Sequence, residues 1–289
     1  MPTDPTTSTA DDSRESRLRR GSDLVFVVAP MRGGTTLLRK VLDTHPEIYS
    51  PAETWFLLPL LSMWAGNGSA GAYNPEQAAA AIRSHVDSEG FLHAARAFAG
   101  AFYDRAMPSG ARLFVDKTPP YIDLADTLPV VFPEARFVVL TRDPRGTLWS
   151  RVSWKHAGQE PVEQVAKGVA WHARIQAAFL RKHGERSLRV AYEDLCTEPA
   201  PTAARLCEFL GVAPSPSMTE YGAVTHHEGY GDELSRAHTR PHRDSVRRWE
   251  GHVDDATQAS LARQITAPDL ETLGYAELAA LVSGTTAAA

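Results

Sequence analysis

Residues 23–45 read DLVFVVAPMRGGTTLLRKVLDTH. The apolar, β-branched run Leu24-Val25-Phe26-Val27-Val28-Ala29 is short enough for a buried strand and too uniform for an amphipathic helix. Pro30 and the pair Gly33-Gly34 mark a turn, and from Thr35 the apolar residues Leu37, Leu38, Val41 and Leu42 recur at helical spacing. Strand, glycine turn, helix is a geometry that binds phosphate. The turn and helix N-terminus aim backbone N–H groups at one point, where the helix dipole favours an anion. The hydroxyls of Thr35 and Thr36 can donate there too. Read without the rest of the chain, the same stretch is also compatible with a tight strand-to-helix turn that binds nothing.

Against the nucleotide-binding pattern G-x-x-x-x-G-K-[ST], the slots fall on Ala29, Gly34, Thr35 and Thr36. The first glycine is missing and the lysine slot holds threonine, so the usual β/γ-phosphate cation is absent. The cation is Arg32, inside the turn. This P-x-[RK]-x-G-T-T arrangement resembles the 5′-phosphosulfate loop of the sulfotransferases that use 3′-phosphoadenosine 5′-phosphosulfate (PAPS), in the branch that writes P-R-S-G-T-T-L-L. Two departures stand out: Met31 is inserted before the arginine, and Gly33 replaces the serine.

With 289 residues, 43% of them hydrophobic, the chain can bury one large core. A net charge of −5 gives the whole no polyanion-binding character, so a nucleic-acid partner is not expected. Cys196 and Cys207 lack metal-ligand spacing and read as free thiols of a reducing compartment. No apolar run approaches the ~18 residues of a membrane span, and no apolar leader opens the sequence. A cytoplasmic protein without a membrane partner is the expectation.

Residues 1–21 are polar and almost free of large apolar side chains, which predicts a disordered tail with solvated charges at Arg14 to Arg20. Residues 22–283 read as one domain and 284–289 as a frayed tail. After the first helix, the Pro-Ala-Glu-Thr of residues 51–54 precedes an aromatic and aliphatic helix. Residues 75–106 are alanine-rich and helical, with Ile82, Val86, Phe91, Leu92, Ala95, Phe98, Phe102 and Tyr103 as core candidates. The segment 60–110 thus reads as a helical insertion that shapes an acceptor pocket.

Further strands are predicted at 112–117, 136–141 and 187–192. Helices are predicted at 146–156, 162–183, 200–211, 255–264 and 269–282. The stretch 213–245 lacks periodicity and reads as a long loop at the acceptor site. The fold class is therefore α/β: a P-loop-like three-layer fold, with a central parallel sheet of about four to five strands and helices on both faces. Ligands belong at the strand C-terminal ends.

The segment Phe132 to Arg145, with Trp149-Ser150, is similar to the 3′-phosphate signature of the same sulfotransferases. The resemblance implies that Arg142, at a strand end, and Ser150, two turns into the next helix, hold the 3′-phosphate. A forked guanidinium suits a phosphate monoester. Tyr192-Glu193-Asp194-Leu195, Pro199 and Phe209-Leu210-Gly211 look like the family's fourth strand and following helix, which puts Tyr192 near the adenine. Arg247-Arg248-Trp249 looks like the C-terminal loop that closes over the cofactor with cations. Together the resemblance covers roughly residues 23–275. It implies a PAPS-binding set of Arg32, Gly33, Gly34, Thr35, Thr36, Arg142, Ser150, Tyr192, Arg247 and Arg248, with PAP (3′-phosphoadenosine 5′-phosphate) as product.

Sulfuryl transfer needs a base for the acceptor proton and cations about the moving group. By resemblance, Arg32 stands where a lysine or arginine contacts the bridging oxygen. Lys117, in Asp-Lys-Thr-Pro, is a second cation similar to the family's [DE]-K-[ST]-P element. The Pro-Ala-Glu-Thr stretch resembles the carboxylate-base position of the Golgi-type and tyrosylprotein sulfotransferases, which implies Glu53 as the base; a carboxylate that answers the dipole of the following helix is the alternative role. The rival bases are histidines of the long loop, His227 foremost among His226, His238 and His242, since a histidine needs no tuning near neutral pH. Trp55, Trp64, Phe98 and Tyr230 could line an aromatic acceptor pocket, although core packing is the commoner role for each taken singly.

The sequence thus predicts a sulfotransferase that moves SO₃ from PAPS to a hydroxyl or amine of a small molecule, without a metal. A P-loop kinase of a small molecule and a non-catalytic PAP-binding protein are the alternatives. The acceptor's identity is open, as is the oligomeric state, a homodimer among the options.

Overall fold

The computed structural model describes residues 13–67, 73–154, 160–223 and 239–280. Five strands form one parallel sheet: β1 (Leu24–Val28), β2 (Ile48–Tyr49), β3 (Leu113–Asp116), β4 (Arg136–Thr141) and β5 (Ser187–Ala191). Their order across the sheet is β2-β3-β1-β4-β5. β1 is buried at all five positions because it lies in the middle with a layer on each face. β2 was not anticipated. Its two residues are too few for any periodicity, and its place at the edge comes from the Arg112 and Leu113 amides, which donate to the Glu47 carbonyl.

Helices fill both faces. In chain order they are α1 (Arg14–Arg20), α2 (Thr35–Asp43), α3 (Leu57–Ala65), α4 (Pro75–His85), α5 (Ser88–Ala106), α6 (Leu128–Val131), α7 (Pro144–Val152) and α8 (Val162–His183). There follow α9 (Tyr192–Thr197), α10 (Pro199–Leu210), α11 (Asp255–Ile265), α12 (Ala267–Leu273) and α13 (Ala276–Ala280). Alternate side chains of the strands separate two cores. Phe26, Phe114 and Phe137 pack with Leu18, Leu57, Tyr103 and Phe179 on one face, whereas Val25, Val115 and Val138 pack with Leu38, Leu206 and Leu210 on the other.

Three sequence expectations are corrected. The tail predicted to be disordered through residue 21 is helical from residue 14: Ser13 caps α1 and Gly21 ends it with φ of 100°. Leu18 is fully buried, and Arg14, Arg17 and Arg20 pair with Asp104, Asp23 and Glu134. Composition missed this because one leucine and distant carboxylates order the turn. Replacing Leu18 with alanine is expected to lower unfolding stability by about 2–4 kcal/mol, read from urea melts; a change near zero would detach α1 from the core.

Next, the 75–106 run is two helices broken at Val86, where Asp87 accepts from the Gly90 amide at 2.8 Å and starts α5. Of its core candidates, Val86, Phe98 and Phe102 are exposed, at 41%, 54% and 37%. Finally, the terminal helix divides into α12 and α13 at Gly274, which has φ of 85°. Within 213–245, the described part contains short 3₁₀ turns at Pro216–Thr219, Tyr221–Ala223 and Arg243–Ser245.

The chain crosses from one side of β1 to the other between β3 and β4, so β1 and β4 are adjacent with Val28 opposite Val139. Such a switch point opens a crevice at the strand C-terminal ends. Gln176 of α8 holds these two ends together: its buried amide donates to the Val28 carbonyl at 3.0 Å and the Leu140 carbonyl at 2.8 Å. Sequence reading passed over this residue; its one signal was a polar side chain at a core position of an amphipathic helix.

Candidate active site

The loop after β1 brings its N–H groups around to the start of α2. Gly33 donates to the Pro30 carbonyl at 3.1 Å, and Gly34 leads into α2 in a left-handed conformation with φ of 94°. Neither a side-chain cap nor an acidic residue answers the first turn of α2, which leaves its positive end for an anion. A Cβ on Gly34 would lie 2.2 Å from Cδ2 of Tyr192, so only glycine lets the loop pass beneath that ring. Gly34→Ala therefore combines a disfavoured φ with overpacking and is expected to cost about 2–4 kcal/mol. Thermal melts with and without PAP would register it; an unchanged melting temperature would mean that the loop does not lie against Tyr192.

Arg32 also sits in the left-handed region, with φ of 68°, which is uncommon for a residue with a long side chain. Its Nε donates to Oγ of Ser150 on α7 at 3.1 Å, and its guanidinium lies 5.6 Å from the Trp154 ring centre. Arg142, which follows β4, donates from Nη1 to the Arg32 carbonyl at 2.8 Å and from Nη2 to the Ser245 carbonyl at 3.2 Å. Its guanidinium stacks 4.3 Å over the Tyr192 ring. Nε of Arg142 is buried with no hydrogen-bond partner among the described residues. An orphaned, charged donor beside an anion-binding turn is a fit for a bound phosphate.

The predicted cofactor residues thus converge: Arg32, Gly34, Arg142, Ser150 and Tyr192 form one contiguous set, with Thr35 buried at the start of α2 and Thr36 half-buried after it. Burial raises the Tyr192 phenol to about 12. The C-terminal segment reaches the set through the Ser245 carbonyl, and next to it the Trp249 ring lies 3.9 Å from the Arg145 guanidinium of α7. Arg247 and Arg248 themselves are exposed, and Arg247 pairs with Glu250 at 3.4 Å.

Lys117 follows β3 directly and is 1% exposed; its Nζ donates to Oε1 of Glu53 at 2.6 Å. Trp55 Nε1 donates to the other oxygen of Glu53 at 3.0 Å. Burial draws the Lys117 ammonium below its usual value, and the charge of Glu53 works against that shift. The predicted second cation is therefore engaged by the predicted base. Glu53 takes its hydrogen bonds from Lys117 and Trp55, three residues ahead of the α3 cap, and so is not a carboxylate that caps that helix.

Arg39 was not anticipated. It is buried on α2, donates to the Ser50 carbonyl at 3.1 Å, and shares a field with Asp43 and Glu53 while burial pulls its own value down. Trp55 is 43% exposed, and Phe98 is exposed with its ring 6.0 Å from that of Phe56, so neither is a core residue. Trp64 instead packs on Phe91 at 5.1 Å. His226, His227, Tyr230 and His238 lie outside the described residues; His242 is half-buried, with Nδ1 3.6 Å from Asp244.

Comparison with known proteins bears on this geometry. A family profile described as "Sulfotransferase family" matches residues 24–216. The chain is 27% identical over 215 residues to a putative protein-tyrosine sulfotransferase of Caenorhabditis briggsae, covering 73% of this chain and 71% of that protein. Nodulation protein NoeE of Sinorhizobium fredii is 26% identical over 281 residues, which are 87% of this chain and 66% of NoeE. Among solved structures, the sulfotransferase domain of the curacin biosynthetic pathway superposes with a TM-score of 0.57 at 21% identity, over 85% of this chain and 97% of that domain. A mouse sulfotransferase complexed with PAP superposes with a TM-score of 0.50 at 10% identity, over 96% of this chain and 95% of that one. The profile spans the phosphate loop, both strand ends and the Glu53 segment, and the fold is shared with solved sulfotransferases: the chain belongs to the sulfotransferase family.

Proposed function

We propose that the protein transfers a sulfuryl group from PAPS to a hydroxyl or amine of a small-molecule acceptor, releases PAP and needs no metal ion. The observation that carries this reading is the double tie of Arg32 to Arg142 and to Ser150, which lie 110 and 118 residues away in the chain. The Arg32 side chain meets Ser150 and the Arg32 backbone carbonyl accepts from Arg142, so the phosphate loop touches both members of the 3′-phosphate signature. A kinase reading has less support, because threonine fills the lysine slot and Arg142 stands where a metal-binding aspartate would be expected.

Bound PAPS supplies the activated sulfuryl group. The loop amides and the Thr35 and Thr36 hydroxyls are suited to its 5′-phosphate, and Arg142 with Ser150 to its 3′-phosphate. Arg32 supplies positive charge where negative charge gathers on the leaving phosphate. Glu53 takes the acceptor's proton, while Lys117 and Trp55 keep its carboxylate in one orientation. Trp55, Phe98 and Tyr230 are the proposed acceptor contacts, and the names of the relatives put a tyrosine phenol among the acceptors worth trying.

The reading is tested by incubating the purified protein and sulfur-labelled PAPS, with and without EDTA, with tyramine, 4-nitrophenol, aliphatic amino alcohols and a tyrosine-containing peptide, and in parallel with Mg-ATP in place of PAPS. Label is expected to pass to at least one small acceptor and to be indifferent to EDTA. Transfer to the peptide alone would replace the small-molecule acceptor by a protein. Retention of the label in every case, with consumption of Mg-ATP, would overturn the reading.

A further inference from the structure

Directly beneath the Glu53 segment lies a second carboxylate that the reaction does not use. Asp116, the last residue of β3, is 1% exposed. Its Oδ2 accepts from the Thr54 hydroxyl at 2.6 Å and the Tyr103 hydroxyl at 2.7 Å, and its Oδ1 from the Thr118 hydroxyl at 2.9 Å. The Thr54 hydroxyl also meets the Tyr121 hydroxyl at 2.9 Å, and that phenol is 3.0 Å from the Leu57 amide. Thr54 N–H donates in turn to Thr118 Oγ1 at 3.1 Å.

The ends of this chain set its direction. Burial raises the Asp116 carboxyl, while the Thr54, Tyr103 and Thr118 hydroxyls and the Lys117 charge work against that shift. An amide N–H only donates and a carboxylate that is ionised only accepts, so with Asp116 ionised Leu57 gives to Tyr121, Tyr121 to Thr54, and Thr54 to Asp116. The backbone is thereby clamped at residues 54 and 57. Between the clamps, Trp55 is held at φ of 59°, a conformation that a bulky residue does not adopt unaided. That turn points the indole N–H back to Glu53 Oε2, and Glu53 immediately precedes the clamped Thr54.

We propose that Asp116 is a positioning residue for Glu53, which acts through the Thr54 hydroxyl and the Trp55 turn to hold the carboxylate toward the acceptor. The proposal rests on the reading of Glu53 as the base. A buried polar cluster that only fills the core would hold the strand without affecting the state of Glu53.

The test uses Asp116→Asn, which keeps the volume and reverses part of the hydrogen-bond polarity, and Thr54→Val, which removes the hydroxyl between Asp116 and Tyr121, leaves the Thr54 N–H on Thr118, and is the variant to use should the first fail to fold. Three readouts are compared with wild type: PAP affinity by calorimetry, the carboxyl resonance of Glu53 in carbon-labelled protein (assigned with Glu53→Gln), and sulfuryl transfer to tyramine. PAP affinity should stay within about threefold. The Glu53 resonance should move, and kcat should fall about 10- to 100-fold with little change in KM. An unmoved Glu53 resonance in both folded variants overturns the proposal. A moved resonance in a protein whose wild type transfers label to none of the acceptors named above leaves the coupling standing and removes the base reading, so the two failures are told apart.

Discussion

Replacing Glu53 with glutamine should lower kcat for sulfuryl transfer by roughly two to four orders of magnitude, the usual contribution of a positioned base, while PAP affinity changes little. The substitution preserves size and can still accept from Lys117 Nζ through the amide oxygen, so the 2.6 Å contact has a replacement. What disappears is the negative charge. Lys117 is buried, and the Glu53 charge is the main influence that holds its ammonium in the charged state against burial. Without it, Lys117 should lose its proton more readily and the fold should lose some stability, because a broken buried pair leaves a charge uncompensated. Steady-state kinetics alongside PAP calorimetry separate the effects: a lost kcat with intact PAP binding assigns the base. An unchanged kcat would move that role to the histidines of residues 224–238.

Arg142→Ala carries the second large effect, on binding rather than turnover. The side chain makes two hydrogen bonds to backbone carbonyls, stacks on Tyr192, and keeps a buried Nε without a partner among the described residues. Removing it should weaken PAP binding about 100- to 1000-fold, as expected when charge-assisted contacts to a phosphate are lost. Arg142→Lys should recover little of this, since a point charge cannot both brace the Arg32 and Ser245 carbonyls and face a phosphate. Ser150→Ala should cost less, because its hydroxyl is a single neutral donor. Calorimetric titration of the three variants with PAP gives the order; equal losses for alanine and lysine at position 142 fit the fork, and full rescue by lysine would not.

Much of the scaffold was legible because buried parallel strands announce themselves as unbroken apolar runs. Leu24 to Val28, Leu113 to Val115 and Phe137 to Leu140 are such runs, whereas Ser187–Ala191 lies at the sheet edge with Arg189 in its middle. Ile48–Tyr49 is too short to have a pattern, and α1 has one apolar residue in seven, so its order depends on partners such as Asp104 on α5. In the site, Arg32, Arg142 and Ser150 were singled out by the resemblance of two short stretches to the sulfotransferase phosphate motifs, and the fold brings the three into contact. The support beneath them was not. Thr54 and Asp116 are 62 residues apart, and Gln176 reaches Val28 across 148, so only the folded sheet reveals that they meet. Phe98 and Phe102 were misjudged for a related reason: periodicity on α5 identifies an apolar face, but not how much of it a neighbour covers.

In the proposed function, the loop around Arg32 and the arginine at residue 142 form one PAP site. It is tested most directly by titrating the purified protein with PAP and, separately, with Mg-ATP, both with and without EDTA in the PAP series. Tight PAP binding that is indifferent to EDTA and lost in Arg142→Ala is the predicted result. Clear Mg-ATP binding with none to PAP would exclude that site and make the chain a nucleotide-triphosphate enzyme on a sulfotransferase fold.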